Sequence, residues 1–204
     1  MENPNILHPQ DAFVENILNE YQANVIEQDE NRPWGGWWLF EEGRLAHSGE
    51  NYDRKIIRVN PGESMNMLSL QYHGQEALPG HREIWQALTD LVIIIGEDDM
   101  TKLSQAEKTE ALQNLKYLQL KAGQSIEIPA GYLHALVNPY SQQAVYLEEF
   151  RISPPFSNQN RQTREANITR IYDQTGRDNL PDFPLQIKNR ILQLVLEICP
   201  NLQN

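Results

Sequence analysis

From Trp37 to Phe150 the chain runs in short apolar stretches separated by turn residues, and many stretches alternate apolar and polar positions. A period of two with frequent breaks predicts strands rather than helices. Strands are predicted at 37–40, 55–59, 65–72, 83–88, 91–95, 117–120, 125–128, 134–137 and 144–150, with one more at 167–172. Pro61-Gly62, Pro79-Gly80, Gly96-Glu97-Asp98-Asp99, Ala122-Gly123 and Asn138-Pro139 mark the turns between them. This is the pattern of an all-β sandwich or barrel.

Three segments break it. From Asp11 to Gln28 the spacing is helical, with Phe13, Ile17, Leu18 and Tyr21 on one stripe and Asp11 placed as N-cap. The run Asn31-Arg32-Pro33-Trp34-Gly35-Gly36 ends that helix. Met100 to Asn114 is rich in Lys, Glu, Gln and Ala, which predicts a short helix inserted in a hairpin and capped by Thr101 or Ser104. Near the end, Ile187, Ile191, Leu194, Val195 and Ile198 form a stripe over Pro184–Ile198. That helix is expected to cover the barrel or a partner subunit. The organisation expected is a helical extension at 1–30, a barrel at 31–177 and a terminal helix within 178–204.

At 204 residues the chain can bury a substantial core. Its formal net charge of -11 argues against a nucleic-acid surface, which needs clustered cations to neutralise phosphates. Cys199 is the single cysteine, so neither an intrachain disulfide nor a thiolate metal cluster can form, and its setting suggests a structural thiol. The first residues lack a basic region followed by an apolar run, and Leu91–Ile95 is too short to span a bilayer. The expectation is a cytoplasmic protein with no membrane partner.

Candidate chemistry sits on the strands. Gln71 and His73 share one face of theirs, Glu83 lies in a second strand, and His134 opens a third after the turn at Pro129 and Gly131. Three strands of a small barrel can bring an amide, a carboxylate and two imidazoles to one point. That donor set suits Zn²⁺, Fe²⁺ or Mn²⁺ better than Ca²⁺. His81 shares parity with Glu83 and is open to three roles: fourth ligand, proton shuttle, or structural closure of the loop before it. Lys55 shares a face with Ile57 and Val59, which is unusual for a lysine unless it meets a polar cavity. Arg170 and Arg177 flank a turn-like stretch and could hold an anion. His8 and His47 read as surface or structural residues, and the tryptophans as core or cavity wall.

The order of these motifs resembles the cupin domain of type II mannose-6-phosphate isomerases, also the C-terminal part of bifunctional mannose-1-phosphate guanylyltransferases. The resemblance is carried by Lys55, Ile57, Val59 and Pro61-Gly62, then Leu68-Ser69-Leu70-Gln71 with His73, then Glu83 with Trp85, then Ile128-Pro129-Ala130-Gly131 with His134. Arg32-Pro33-Trp34-Gly35 at one end and Arg170, Asp173 and Gly176-Arg177 at the other extend it. It implies a double-stranded β-helix (jelly-roll) barrel with Gln71, His73, Glu83 and His134 around one divalent metal, zinc first, manganese or iron otherwise. It also implies aldose–ketose isomerisation of mannose 6-phosphate and fructose 6-phosphate through an enediolate, with His81, Glu148, Lys55 and Arg177 as catalytic or phosphate-holding residues. Glu149 is the other glutamate open to the role of base, since strand parity alone decides which of the two faces inward. A homodimer is left open. Phe150 stands where the family usually has glutamine, and the link from Gly74 to Arg82 is longer than the family's. Isomerisation of an unphosphorylated sugar, or metal and sugar binding without turnover, are the alternatives.

Overall fold

Strand alternation does become strand geometry, and the pairing of the strands defines the barrel. The computed structural model describes residues 24–62, 66–67, 70–74, 80–155, 168–172 and 185–198, together with helical residues 16, 17, 19 and 20. The elements are β1 (Glu27–Arg32), β2 (Gly35–Arg44), β3 (Asn51–Val59), β4 (Asn66–Met67), β5 (Leu70–His73), β6 (Arg82–Ala87), β7 (Leu91–Asp99), α1 (Gln105–Gln113), β8 (Lys116–Leu120), β9 (Ser125–Ile128), β10 (Tyr132–Asn138), β11 (Val145–Ser153), β12 (Ile168–Tyr172) and α2 (Leu185–Ile198). One sheet runs β1-β2-β3-β11-β6-β9 and the other β12-β5-β10-β7-β8, with β4 also on β10. The antiparallel pairs β3·β11, β5·β10, β6·β9 and β7·β8 nest one inside the next along the chain. A long hairpin wound into two facing sheets gives this order, so the fold is a jelly roll, or double-stranded β-helix.

Burial follows strand parity in three layers. Between the sheets lie Ile57, Val59, Trp85, Leu91, Ile93, Leu136 and Leu147. The alternate residues of the second sheet, among them Leu70, Val92, Ile94, Leu133 and Val137, pack outward against Ala111 and Leu112 of α1 and Leu194 and Ile198 of α2. On the outer face of the first sheet, Trp38, Phe40, Ile56 and Leu88 are covered by Ile17 and Val25. Both faces of each sheet therefore carry apolar side chains. This is why β7 reads as a continuous apolar run rather than an alternating one.

Several boundaries differ from the sequence expectation. The helical stretch ends before Gln28, because Glu27–Arg32 pairs with β2 as an edge strand. Pro33 and Trp34 are consequently the turn between those strands, with Arg32 opposite Gly35. Gly96 to Asp99 is not a turn: β7 continues to Asp99, which pairs with Tyr132 across a bulge. The 65–72 run divides into β4 and β5. The inserted helix is present, and Ser104 is its cap: the Ser104 hydroxyl accepts from the Glu107 N–H, and the Glu107 carboxylate accepts from the Ser104 N–H. Thr101 instead donates its hydroxyl to Asp99 at 2.6 Å. Helix α2 lies on the barrel through Leu194 and Ile198. Asp11, Phe13, Leu18, Tyr21 and Cys199 lie outside the described residues.

Candidate metal centre

Parity turns the polar residues of three strands inward at one place. On β5, Leu70 and Tyr72 face the helices, so Gln71 and His73 face the interior. On β10, Leu133 and Ala135 face out, which turns His134 inward directly opposite Gln71. On β6, Glu83 shares the inner face with Trp85 and Ala87. His81 arrives just before β6 because Gly80 lies against the His73 carbonyl. A β-carbon at Gly80 would stand 1.9 Å from that oxygen, so only glycine fits.

The donor atoms converge. His73 Nε2 is 3.2 Å from His134 Nε2, 3.2 Å from Glu83 Oε1 and 3.3 Å from Gln71 Nε2. His81 Nε2 is 2.9 Å from Glu83 Oε1, and His134 Nε2 is 3.5 Å from Glu83 Oε2. His73, His81, Glu83 and His134 are each no more than 4% exposed, and Gln71 is 8% exposed. The ligand atoms of His73, His81 and Glu83 all lie within 4.8 Å of one another.

The protonation pattern suits a cation. Burial, reinforced by His81, His134 and Arg151, pushes the His73 pKa well below the ordinary imidazole value. Burial and then Arg151 do the same to His81. Both rings are therefore neutral at pH 7. His134 Nδ1 lies 2.9 Å from the Tyr132 carbonyl, an acceptor that requires the ring to carry its hydrogen there. That turns the Nε2 atom of His134 toward the cluster. His73 Nδ1 is buried without a hydrogen-bond partner. At these distances a neutral imidazole can donate Nε2–H to the Glu83 carboxylate, and where a divalent ion takes the place of those hydrogens the same nitrogens turn lone pairs toward one centre. The residues fit a divalent ion with nitrogen and oxygen donors. His81 belongs to this set, which favours its ligand role over shuttle or loop closure.

Beside the donors, on the first sheet, lies a second polar group. Arg151 is the cross-strand partner of both Asp53 and Glu83, and Glu149 of both Lys55 and Trp85. Lys55 Nζ is 3.0 Å from Glu149 Oε2, while Arg151 donates to Glu149 Oε1 from Nε at 3.3 Å and from Nη2 at 3.0 Å. Arg151 Nε is also 3.7 Å from Glu83 Oε1 and 4.0 Å from Asp53 Oδ1. Burial opposes the Arg151 charge, but Glu149, Asp53 and Glu83 more than compensate, and its pKa rises above the ordinary guanidinium value.

Of the residues singled out by the strand pattern, Gln71, His73, His81, Glu83 and His134 are brought together, and Lys55 lies beside them through Glu149. Glu148 is placed elsewhere. It projects from the opposite face of β11 and pairs with Arg54, whose Nε donates to it at 2.7 Å and which also bridges to Glu41. The inward glutamate is Glu149, 2% exposed. Arg170 stands opposite Gln71 on β12, half-buried. Arg177 and Asp173 lie outside the described residues. Asp53 and Arg151 are the polar neighbours that the strand pattern did not single out. Their signal was parity with Lys55 on one strand and with Leu147 on the other.

No family model and no curated protein matches the chain. Among solved structures it is similar to the capsular polysaccharide assembling protein CapF from Staphylococcus aureus, with a TM-score of 0.43 and 10% identity over 64% of this chain and 31% of that one. It is similar to vicilin from Corylus avellana, at TM-score 0.47 and 14% identity over 88% of this chain and 45% of that one. Recombinant oxalate oxidase in complex with glycolate gives 0.41 and 14%, over 85% and 75% respectively. The chain thus spans about a third of the CapF chain and under half of the vicilin chain. Among the described residues no helix is long and apolar enough to cross a membrane.

Proposed function

We propose that the protein is a metal-dependent aldose–ketose isomerase acting on a sugar phosphate, with mannose 6-phosphate and fructose 6-phosphate as the first pair to test. The observation that carries this reading is the pairing of a buried donor set with a second inward carboxylate, Glu149, whose oxygens point to Lys55 and Arg151 rather than to the imidazoles. His73, His81, Glu83 and His134 would hold the ion, with Gln71 as a further donor; three nitrogens and a carboxylate favour zinc. When bound, the ion supplies a Lewis acid for the carbonyl and hydroxyl oxygens of the sugar.

Isomerisation moves one hydrogen from C2 to C1 and one from O2 to O1. Glu149 is the proposed base: its carboxylate takes the C2 proton and returns it at C1. Lys55 and Arg151 orient that carboxylate. Arg170 and Arg177 are the proposed phosphate anchors. One observation favours the unphosphorylated sugar as a second reading: the Lys55 ammonium already pairs with Glu149.

The test is ¹H NMR of metal-reconstituted protein with either sugar phosphate in deuterated water. Deuterium entering at C1 or C2, and stopping on chelation, supports the isomerase. Metal bound without incorporation, from these substrates or from free aldoses, overturns it.

A further inference from the structure

We infer that Arg151 is a positioning residue that keeps Glu149 out of the metal's coordination sphere and so divides two neighbouring carboxylates into a ligand and a base that does not coordinate. The inference rests on the metal centre described above and deepens the proposed function.

Glu83 and Glu149 are chemically equivalent donors on one face of adjacent strands. Register makes Arg151 the direct partner of Glu83 and Trp85 the direct partner of Glu149, so the two glutamates are diagonal neighbours within reach of a common point. Their surroundings separate them. Glu83 Oε2 accepts from the neutral Trp85 indole N–H at 2.8 Å, and Oε1 lies closer to His73 and His81, at 3.2 and 2.9 Å, than to Arg151 Nε at 3.7 Å. Both oxygens of Glu149 are held by cations: Oε1 by two nitrogens of Arg151, Oε2 by Lys55. Charge-assisted hydrogen bonds of this kind are about twice as strong as neutral ones. Glu149 must give up both Arg151 bonds to offer Oε1 to the ion, or the Lys55 bond to offer Oε2. Arg151 is itself held over the pair by Asp53.

Visible spectra of the Co²⁺-loaded protein read coordination number directly, because added ligands lower the intensity of the ligand-field bands. In R151Q, Glu149 is expected to join the ion: the bands weaken, and Co²⁺ affinity rises about tenfold, the size of a typical outer-shell effect. R151K, which keeps the charge, is expected to retain the wild-type spectrum, and E149Q/R151Q to regain it. Should R151Q fail to fold, E149Q tests the same point: replacing a residue held outside the coordination sphere is expected to leave the wild-type Co²⁺ spectrum. A spectrum unchanged in R151Q, a shift that persists in E149Q/R151Q, or bands altered in E149Q overturns the role of Arg151. Wild-type protein that takes up no Co²⁺ overturns instead the metal centre beneath it.

Discussion

Trp85 donates its indole N–H to Glu83 Oε2 at 2.8 Å, from two positions along the same strand. One oxygen of the carboxylate is thereby fixed, and the other is presented to His73 and His81. Trp85 also meets the His134 ring edge-on, with centroids 5.2 Å apart. One side chain therefore orients two of the candidate metal donors. Replacing it by phenylalanine keeps an aromatic in the core but removes the donor. W85F is expected to weaken metal binding by about tenfold to 100-fold, the usual cost of losing an outer-shell hydrogen bond. Competition with a chromophoric chelator measures this. Unchanged affinity would show that the indole bond does not orient Glu83.

His134→Ala and Glu149→Gln separate metal from base. Losing His134 removes a ligand, so metal affinity and deuterium incorporation should fall together, each by more than about 100-fold. E149Q should leave metal content unchanged while incorporation falls at least as far as loss of a general base predicts, about 100-fold. Metal analysis beside the NMR assay distinguishes the two patterns. E149Q at full activity removes Glu149 from the mechanism.

Most of the barrel was legible in the sequence because each strand carries its own period and its own turn residues. The inward polar cluster was legible for the same reason: Gln71 and His73, or Glu83 and Trp85, share a face by arithmetic alone. What could not be read was which neighbour each inward residue meets. The choice between Glu148 and Glu149 depends on whether β11 presents odd or even positions to the interior. That is decided by its pairing with both β3 and β6, not by anything within residues 145–153. The strand at Glu27–Arg32 escaped because its charged residues look nothing like a buried strand; edge position tolerates them. Gly96 to Asp99 resembled a turn because it is polar, yet the ladder with β10 extends through it.

Removing metal should destabilise the fold, since the donors are buried and face one another. At a free metal concentration 100 times Kd, binding contributes about 2.7 kcal/mol. For a chain of this size that corresponds to a fall in Tm on the order of 5–10 °C after chelation. Calorimetry with and without a chelator measures it, and an unchanged midpoint would mean that these residues do not hold a metal.

In the metal-free protein, stability should fall as the solution is acidified. His73 and His81 are held neutral in the folded state, with pKa values well below the unfolded value of about 6.5. Above that value neither state binds a proton at these rings, and stability is flat. Below it the unfolded chain takes protons that the folded chain refuses, so the unfolded state gains. The slope is at most about 1.4 kcal/mol per pH unit for each ring. Urea unfolding at a series of pH values from 7 downward tests the sign. Replacing His81 by glutamine should roughly halve the slope, and an unaltered slope would take His81 out of the account.

The position of β11 between β3 and β6 has a consequence for how the molecule is made. Asp53 and Lys55 belong to β3 and Glu83 to β6, which are not paired with each other; Arg151 and Glu149 join them from a strand synthesised much later. A nascent chain that has not yet extruded residues 145–153 holds two unconnected sheet fragments, each with acidic or basic groups turned toward what will be the interior. Domains dominated by such distant pairings fold slowly and expose unpaired edges meanwhile. The charge network of the site thus closes in the same step that closes the sheet, and a ribosome stalled before Val145 would release a chain with neither.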